Sequence, residues 1–346
     1  MWIKNANNDH KEKKMPRKIK LLVVCLTLLL AFGAGDVFAK RTIKVGMGDP
    51  MESDQGAFAK RFKENLEGLS NGEIEVQLFP GGSLGTETEM LQNARMGTLD
   101  VAIVGVGNVV PFVPQFAALS YPYLIEDHYD AVKATTGYMG AYWNKIGQEK
   151  GGFTVLGWTY SNFRFVTNSA RPVNALADLA GLKIRVPQNK VILATLTALG
   201  ANPVPMAWSE TFTAMQQKVI DGQENPYIVN YTMKFQEVQK YLTETHYQYS
   251  FQPMVMGTKT MESLDDATKD ILIRAGIEAQ QYCLLFQVLE AEKAKKGMQD
   301  AGVEVSILKD EDQWKAIIKE KVWPEYYDFV GGKEVIDTMM LHLGKK

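Results

Sequence analysis

The chain has 346 residues, 46% hydrophobic and 23% charged, with 38 Lys and Arg against 40 Asp and Glu and a formal net charge of −2. That is ordinary globular composition, which excludes a disordered or fibrous chain. The near balance of charge argues against nucleic acid or an anionic lipid surface as partner.

The first 39 residues read as an address. Met15-Pro-Arg-Lys-Ile-Lys20 is a basic segment, Leu21–Phe32 is an apolar run, and Val37-Phe38-Ala39 is a small-residue cleavage site. This is the pattern of a secretory signal peptide over residues 1–39, too short for a spanning helix. Met15 is an alternative start, because Met1–Lys14 is polar and adds nothing such a signal needs. Cys25 lacks the small residue before it that a lipoprotein cysteine requires, so lipidation is not expected. Cleavage after Ala39 removes seven Lys/Arg and three Asp/Glu and leaves a mildly acidic exported protein with the single cysteine Cys283. No internal disulfide can then form, and the apolar helical context of Cys283 reads as a buried, inert thiol.

From there the pattern alternates strand and helix. Arg41–Met47 places Ile43 and Val45 on one face of a strand, and Ala57–Leu69 spaces Phe58, Phe62 and Leu66 as a helix. Glu73–Phe79 is a second strand, a Gly-rich loop leads to a helix near Thr88–Met96, and Leu99–Val104 is a third strand. Pro111–Tyr123 is a proline-broken connection, followed by a helix over Tyr129–Lys145 and a strand over Gly152–Thr159. Phe163–Asn168, Lys183–Val186 and Pro203–Met206 are further strands. Helices are expected over Ser209–Val219, capped by Ser209, and around Val229–Tyr241, before a strand over Tyr249–Gly257. Beyond Asp265 the chain reads as helical, with amphipathic stretches near Asp270–Ala291 and Asp312–Phe329. The fold class is therefore α/β, with two lobes in a clamshell, a mixed sheet in each lobe and a hinge of crossing segments. Lobe I is expected from 41–161 plus about 250–290, and lobe II from 162–249 plus about 291–346.

The most informative run is Gly181-Leu-Lys-Ile-Arg-Val-Pro187. Leu182, Ile184 and Val186 alternate with Lys183 and Arg185, the period of a half-buried strand that Pro187 must end. Asn189 then caps a short helix that closes at Gly200. Arg185 thus sits at the carboxyl end of a strand, the edge where open α/β sheets bind ligands. Its planar, permanently charged fork fits a carboxylate in two parallel bonds.

The blocks Asn168–Pro187, Leu199-Gly-Ala-Asn-Pro-Val-Pro-Met206 with Ser209-Glu210, and Val219-Ile-Asp-Gly-Gln-Glu-Asn-Pro226 resemble the solute receptors of TRAP transporters, the DctP family. Gly81-Gly-Ser-Leu-Gly85 and Met96–Val101 fit the same pattern, and the similarity spans nearly all of the mature chain. The resemblance implies a periplasmic receptor that closes two lobes over a small organic acid and delivers it to a small and a large membrane subunit, driven by a sodium gradient. It places the family's selectivity arginine on Arg185, an assisting arginine on Arg164, an asparagine contact on Asn225 and an aromatic contact on Trp208. Sialic-acid receptors of the family carry an acidic residue where this chain has Gly105, which argues against that ligand.

Each candidate also has a plainer reading. Arg164, flanked by Phe163 and Phe165, could belong to an internal ion pair. Asn225 before Pro226 is by itself a turn signal. Trp208 and Tyr227 fit core or cleft equally, and with Tyr160 and Phe163 they suggest a ligand bulkier than succinate. Glu87 is a helix first-turn residue that could instead bond a ligand hydroxyl or amine. The four histidines do not cluster, and no metal-ligand spacing, nucleophile elbow or dinucleotide turn occurs. No enzyme activity, metal or cofactor is expected, and the receptor is expected to act as a monomer. A periplasmic sensor subunit of the same fold feeding a histidine kinase is the main alternative; a secreted hydrolase or lyase ranks below it.

Overall fold

The structure is a computed structural model and describes Lys40–Lys345. The signal-peptide and Cys25 readings lie outside the described residues. Two mixed β-sheets organise the chain. The first contains β1 (Arg41–Met47), β2 (Ile74–Phe79), β3 (Val101–Ile103), β4 (Phe153–Phe163) and β10 (Tyr249–Gly257), in the order β2-β1-β3-β10-β4. The second contains β5 (Phe165–Asn168), β6 (Lys183–Val186), β7 (Asn202–Pro205), β8 (Gly222–Asn225), β9 (Tyr241–Glu244) and β11 (Glu304–Ile307), in the order β11-β9-β5-β8-β6-β7. β1 pairs in parallel with both β2 and β3, whereas β10 runs antiparallel to β3 and β4. In the second sheet β6 is parallel to β7 and β8, and β5 is antiparallel to β8 and β9. This is the expected two-lobed α/β architecture.

The chain passes between the sheets three times. It crosses at Arg164 between β4 and β5, at Thr245–Gln248 between β9 and β10, and along the helix Asp266–Asp300 from the first sheet toward β11. The inward side chains of β1, Ile43, Val45 and Met47, meet Phe58, Phe62 and Leu66 of the helix Asp54–Leu69 in one core, as their periodicities require.

Several elements depart from the sequence pattern, each for a local backbone reason. The helix expected over Tyr129–Lys145 is two, His128–Thr135 and Gly137–Ile146, because Thr136 is extended at φ −121° and ψ 176°. The helix expected around Val229–Tyr241 ends at Thr232. Lys234 there adopts φ 59°, a left-handed turn, and the chain is already a strand by Tyr241. Ser209 is not a cap; it lies inside a 3₁₀ turn, Trp208–Glu210, ahead of the short helix Thr211–Gln216. Conversely, Asp270–Ala291 is only the middle of one helix of 35 residues, opened by the Asp265 side chain accepting from the Thr268 amide at 2.8 Å.

This long helix packs directly on β4. A Cβ at Gly276 would stand 2.1 Å from the Leu156 carbonyl oxygen, and one at Gly157 would stand 2.8 Å from the Gly276 oxygen. Backbone meets backbone there, so no side chain can yield. Gly276→Ala is expected to destabilise the protein by about 1–3 kcal/mol through overpacking. A thermal melt that leaves the midpoint unchanged would show that the helix can shift freely on β4.

Candidate functional site

The local fold delivers Arg185 as its sequence implies. β6 pairs Arg185 with Val204 on one side and Gln223 on the other, and it ends before Pro187. The Asn189 side chain accepts from the amides of Val191 at 2.9 Å and Ile192 at 3.4 Å, which starts the helix Lys190–Ala198. Arg185 is only 3% exposed. Its Nε and Nη2 donate to the Met206 carbonyl at 3.0 and 2.8 Å, and its Cζ lies 5.3 Å from the centre of the Trp208 ring. Among the described residues no carboxylate forms an ion pair with it. Three of the five N–H bonds of this guanidinium therefore remain uncommitted. Burial, helped by the Arg164 charge, lowers its pKa to about 10, and it stays cationic at neutral pH.

Arg164 is arranged differently. Its Nε and Nη2 donate to the Glu224 carboxylate, Nη2 also reaches the Glu224 carbonyl at 2.7 Å, and Nη1 reaches Ser250 Oγ at 3.2 Å. Tyr247 Oη donates to the same carboxylate at 2.8 Å. Burial alone would lower the Arg164 pKa, but the charge and hydrogen bonds of Glu224 outweigh it and raise the value. The plainer reading of an internal ion pair thus describes Arg164, which nonetheless borders the same cavity as Arg185 with one N–H left over.

That cavity lies between the two sheets and encloses about 40 Å³ open to the centres of water-sized molecules. It brings together Arg185, Arg164, Asn225, Trp208 and Glu87. Trp208 spans the gap, because its Nε1 donates to Asp49 Oδ1 at 2.7 Å, just past the end of β1. The lobes also touch where Gly107 meets Pro187; a Cβ on Gly107 would stand 2.9 Å from Pro187 Cγ. Asn225 Nδ2 donates to Gln223 Oε1 at 2.6 Å. Glu87 is buried and accepts from Gln55 Nε2 at 2.9 Å, the Gly105 amide at 2.9 Å and Asn108 Nδ2.

Tyr227 is not brought to the cavity. Its hydroxyl donates to Glu244 Oε1 at 2.8 Å and its ring packs on Phe165, which places it in the core beside β5 and β9. Tyr160 is likewise internal, bonded to Thr135 and Gln280, and Phe163 packs on Tyr249 and His246. Of the four aromatics named from sequence, only Trp208 lines the cavity, and Phe251 of β10 joins it. The inference of a bulky ligand from their number therefore has no support in the structure.

Sequence reasoning missed Asp49, Gln55, Asn108, Gln248 and Gln252, all of which line the cavity. Asp49 followed by Pro50 reads as a turn, and the three glutamines carry no spacing signal. Burial, with Asp54 and Glu87 nearby, pushes the Asp49 carboxyl well above its ordinary range despite the Trp208 bond. Asp54, which accepts from Ser161, is also raised by burial. Among the described residues no group of three or more His, Cys, Asp or Glu is arranged to hold a metal ion.

The Arg164–Glu224 pair yields a direct expectation. Glu224→Ala leaves a buried guanidinium without its counter-charge and should cost about 3–5 kcal/mol of stability in urea melts. A loss below about 1 kcal/mol would mean that solvent reaches Arg164.

Comparison with known proteins agrees with this geometry. The model of the DctP family, bacterial extracellular solute-binding protein family 7, matches residues 45–329. The 2,3-diketo-L-gulonate-binding periplasmic protein YiaO of Escherichia coli K12 is 34% identical over 277 residues, 80% of this chain and 84% of that protein. A TRAP periplasmic solute-binding protein from Polaromonas sp. JS666, solved bound to D-erythronate, superposes with a TM-score of 0.81 at 32% identity, covering 86% of this chain and 98% of that one. The sugar acid binding protein DctPAm from Advenella mimigardefordensis, solved with galactonate, gives a TM-score of 0.83 at 30% identity, covering 88% and 98%. With two mixed sheets around a buried, arginine-bearing cavity and a family match over most of its length, this chain belongs to the DctP family of TRAP-type extracytoplasmic solute-binding proteins.

Proposed function

We propose that the protein is the extracytoplasmic receptor of a TRAP transporter, acting in the periplasm to bind a small organic acid and pass it to a small and a large membrane subunit. The observation that carries the reading is Arg185: a guanidinium 3% exposed, bordering an interlobe cavity, with no ion-paired carboxylate among the described residues. An isolated buried charge is costly unless paired, so the site is organised for an anion that arrives from outside. Nη1 and the remaining Nη2 hydrogen present the fork that a carboxylate accepts. Met206 and Trp208 hold the guanidinium still, which reduces the ordering cost of binding.

Arg164 and Asn225 have supporting roles in this reading. With Glu224 as counter-ion, Arg164 adds one N–H and a partly neutralised charge, while Asn225 supplies a polar group from the end of β8. Closure follows from residues contributed by both lobes. A ligand touching Arg185 on one side and the Asp49–Glu87 wall on the other favours the shut arrangement by its differential contacts. The relatives that bind 2,3-diketo-L-gulonate, D-erythronate and galactonate support an acid as ligand. Among the described residues no helix is long and apolar enough to cross a membrane, so the membrane step falls to separate subunits in this proposal.

Isothermal calorimetry against a panel of sugar acids and short carboxylates tests the assignment. Arg185→Ala should cost on the order of 2–5 kcal/mol of affinity for the acid that binds, with folding largely spared. Arg185→Lys should also fail, because a point charge cannot reproduce the fork. Affinity within about threefold of the parent in Arg185→Ala would defeat the assignment.

A further inference from the structure

Resting on the receptor reading above, we infer that Asp49 is a specificity-determining residue that makes the cavity selective for hydroxylated monocarboxylates over dicarboxylates. The cavity is asymmetric. Arg185 supplies the charged donors, with three N–H bonds uncommitted. Across the Trp208 indole, which stacks beneath that guanidinium and donates to Asp49, the wall is acidic. The carboxylate acceptors there are unequally engaged. Glu87 already accepts from three protein donors. Asp49 Oδ1 takes the indole N–H, and no described donor reaches Oδ2. Gln248 and Gln252, 2% and 5% exposed, line the same space, and no described donor reaches either Oε1.

A ligand whose carboxylate sits on Arg185 must present its other end to these groups. A hydroxyl both donates and accepts, so it satisfies a carboxyl group and an amide in either orientation. It can donate to Asp49 whether that carboxyl is ionised or protonated. A second carboxylate only accepts, and it would be placed beside Asp49 with Glu87 and Asp54 close behind. Like charges in a buried site repel strongly; burial first, and then the Asp54 and Glu87 charges, already raise the Asp49 carboxyl above its ordinary range. Selectivity then comes from a repulsive element aimed at the wrong ligand as well as from attraction to the right one.

Calorimetry with D-erythronate, galactonate and succinate provides the test. The wild-type protein should bind at least one of the two hydroxy acids roughly tenfold or more tighter than succinate. Asp49→Asn should shrink that ratio by a similar factor, since the asparagine oxygen still accepts the Trp208 N–H but no longer repels a carboxylate. Equal or tighter wild-type binding of succinate overturns the inference, as does an unchanged ratio in an Asp49→Asn protein with an intact thermal melt. If that variant does not fold, wild-type ranking decides the matter: D-erythronate ahead of both butyrate and succinate supports it, and succinate first sinks it. The two readings fail separately. Binding that survives Arg185→Ala, or no acid binding at all, removes the receptor assignment, whereas Arg185-dependent binding that prefers succinate removes only the role of Asp49.

Discussion

A guanidinium taken out of water without a carboxylate beside it is the constraint around which the rest of this protein is arranged. Arg185 and Arg164 are both deeply buried and border the same cavity, yet their situations are opposite. Arg164 is neutralised by Glu224, braced by Ser250 and backed by Tyr247. Arg185 has one backbone carbonyl and an aromatic face. Carbonyl and indole orient the positive charge without cancelling it. An internal ion pair serves the fold; in the proposed function, the uncancelled buried cation receives an anionic ligand.

The architecture explains how such a charge can be held. Arg185 lies near the carboxyl end of a parallel strand in the second sheet, and the turn and Asn189-capped helix that follow border the same cavity. Arg164 occupies the crossing between β4 and β5, so the ion pair that stabilises the site also ties down a connection between the lobes. The gap is bridged by Trp208 reaching Asp49 and narrowed where Gly107 meets Pro187. In the proposed mechanism, closing the lobes excludes water, which strengthens each charged contact inside. The acidic wall then bears on which molecules the anchor will accept.

Local chemistry accounts for what could be read directly from residue order. Strand β6, its stop at Pro187, the Asn189 cap and the placement of Arg185 near the strand's carboxyl end all depend on neighbours within a few positions, and each is found as read. β10 also begins and ends where the pattern places it, at Tyr249 and Gly257. The helix break at Lys234 was less legible, because a left-handed lysine there carries no proline or glycine mark, whereas the break at Thr136 is marked by Gly137 at φ 55°.

The amino-acid order alone determined the class of the fold, the alternation of its elements and the position of Arg185 near the carboxyl end of β6, because periodicity, capping and strand termination are short-range effects. It did not determine which polar and aromatic side chains share the cavity. Tyr227 and Trp208 look alike in sequence, yet one is drawn to Glu244 at the end of β9 and the other crosses to Asp49. Glu224 and Arg164 lie 60 residues apart, and Asp49 and Trp208 lie 159 apart. Only the pairing of strands and the meeting of two lobes bring such groups together. Whether a buried charge is cancelled or left open therefore belongs to the tertiary structure, since it depends on partners that no local pattern can specify.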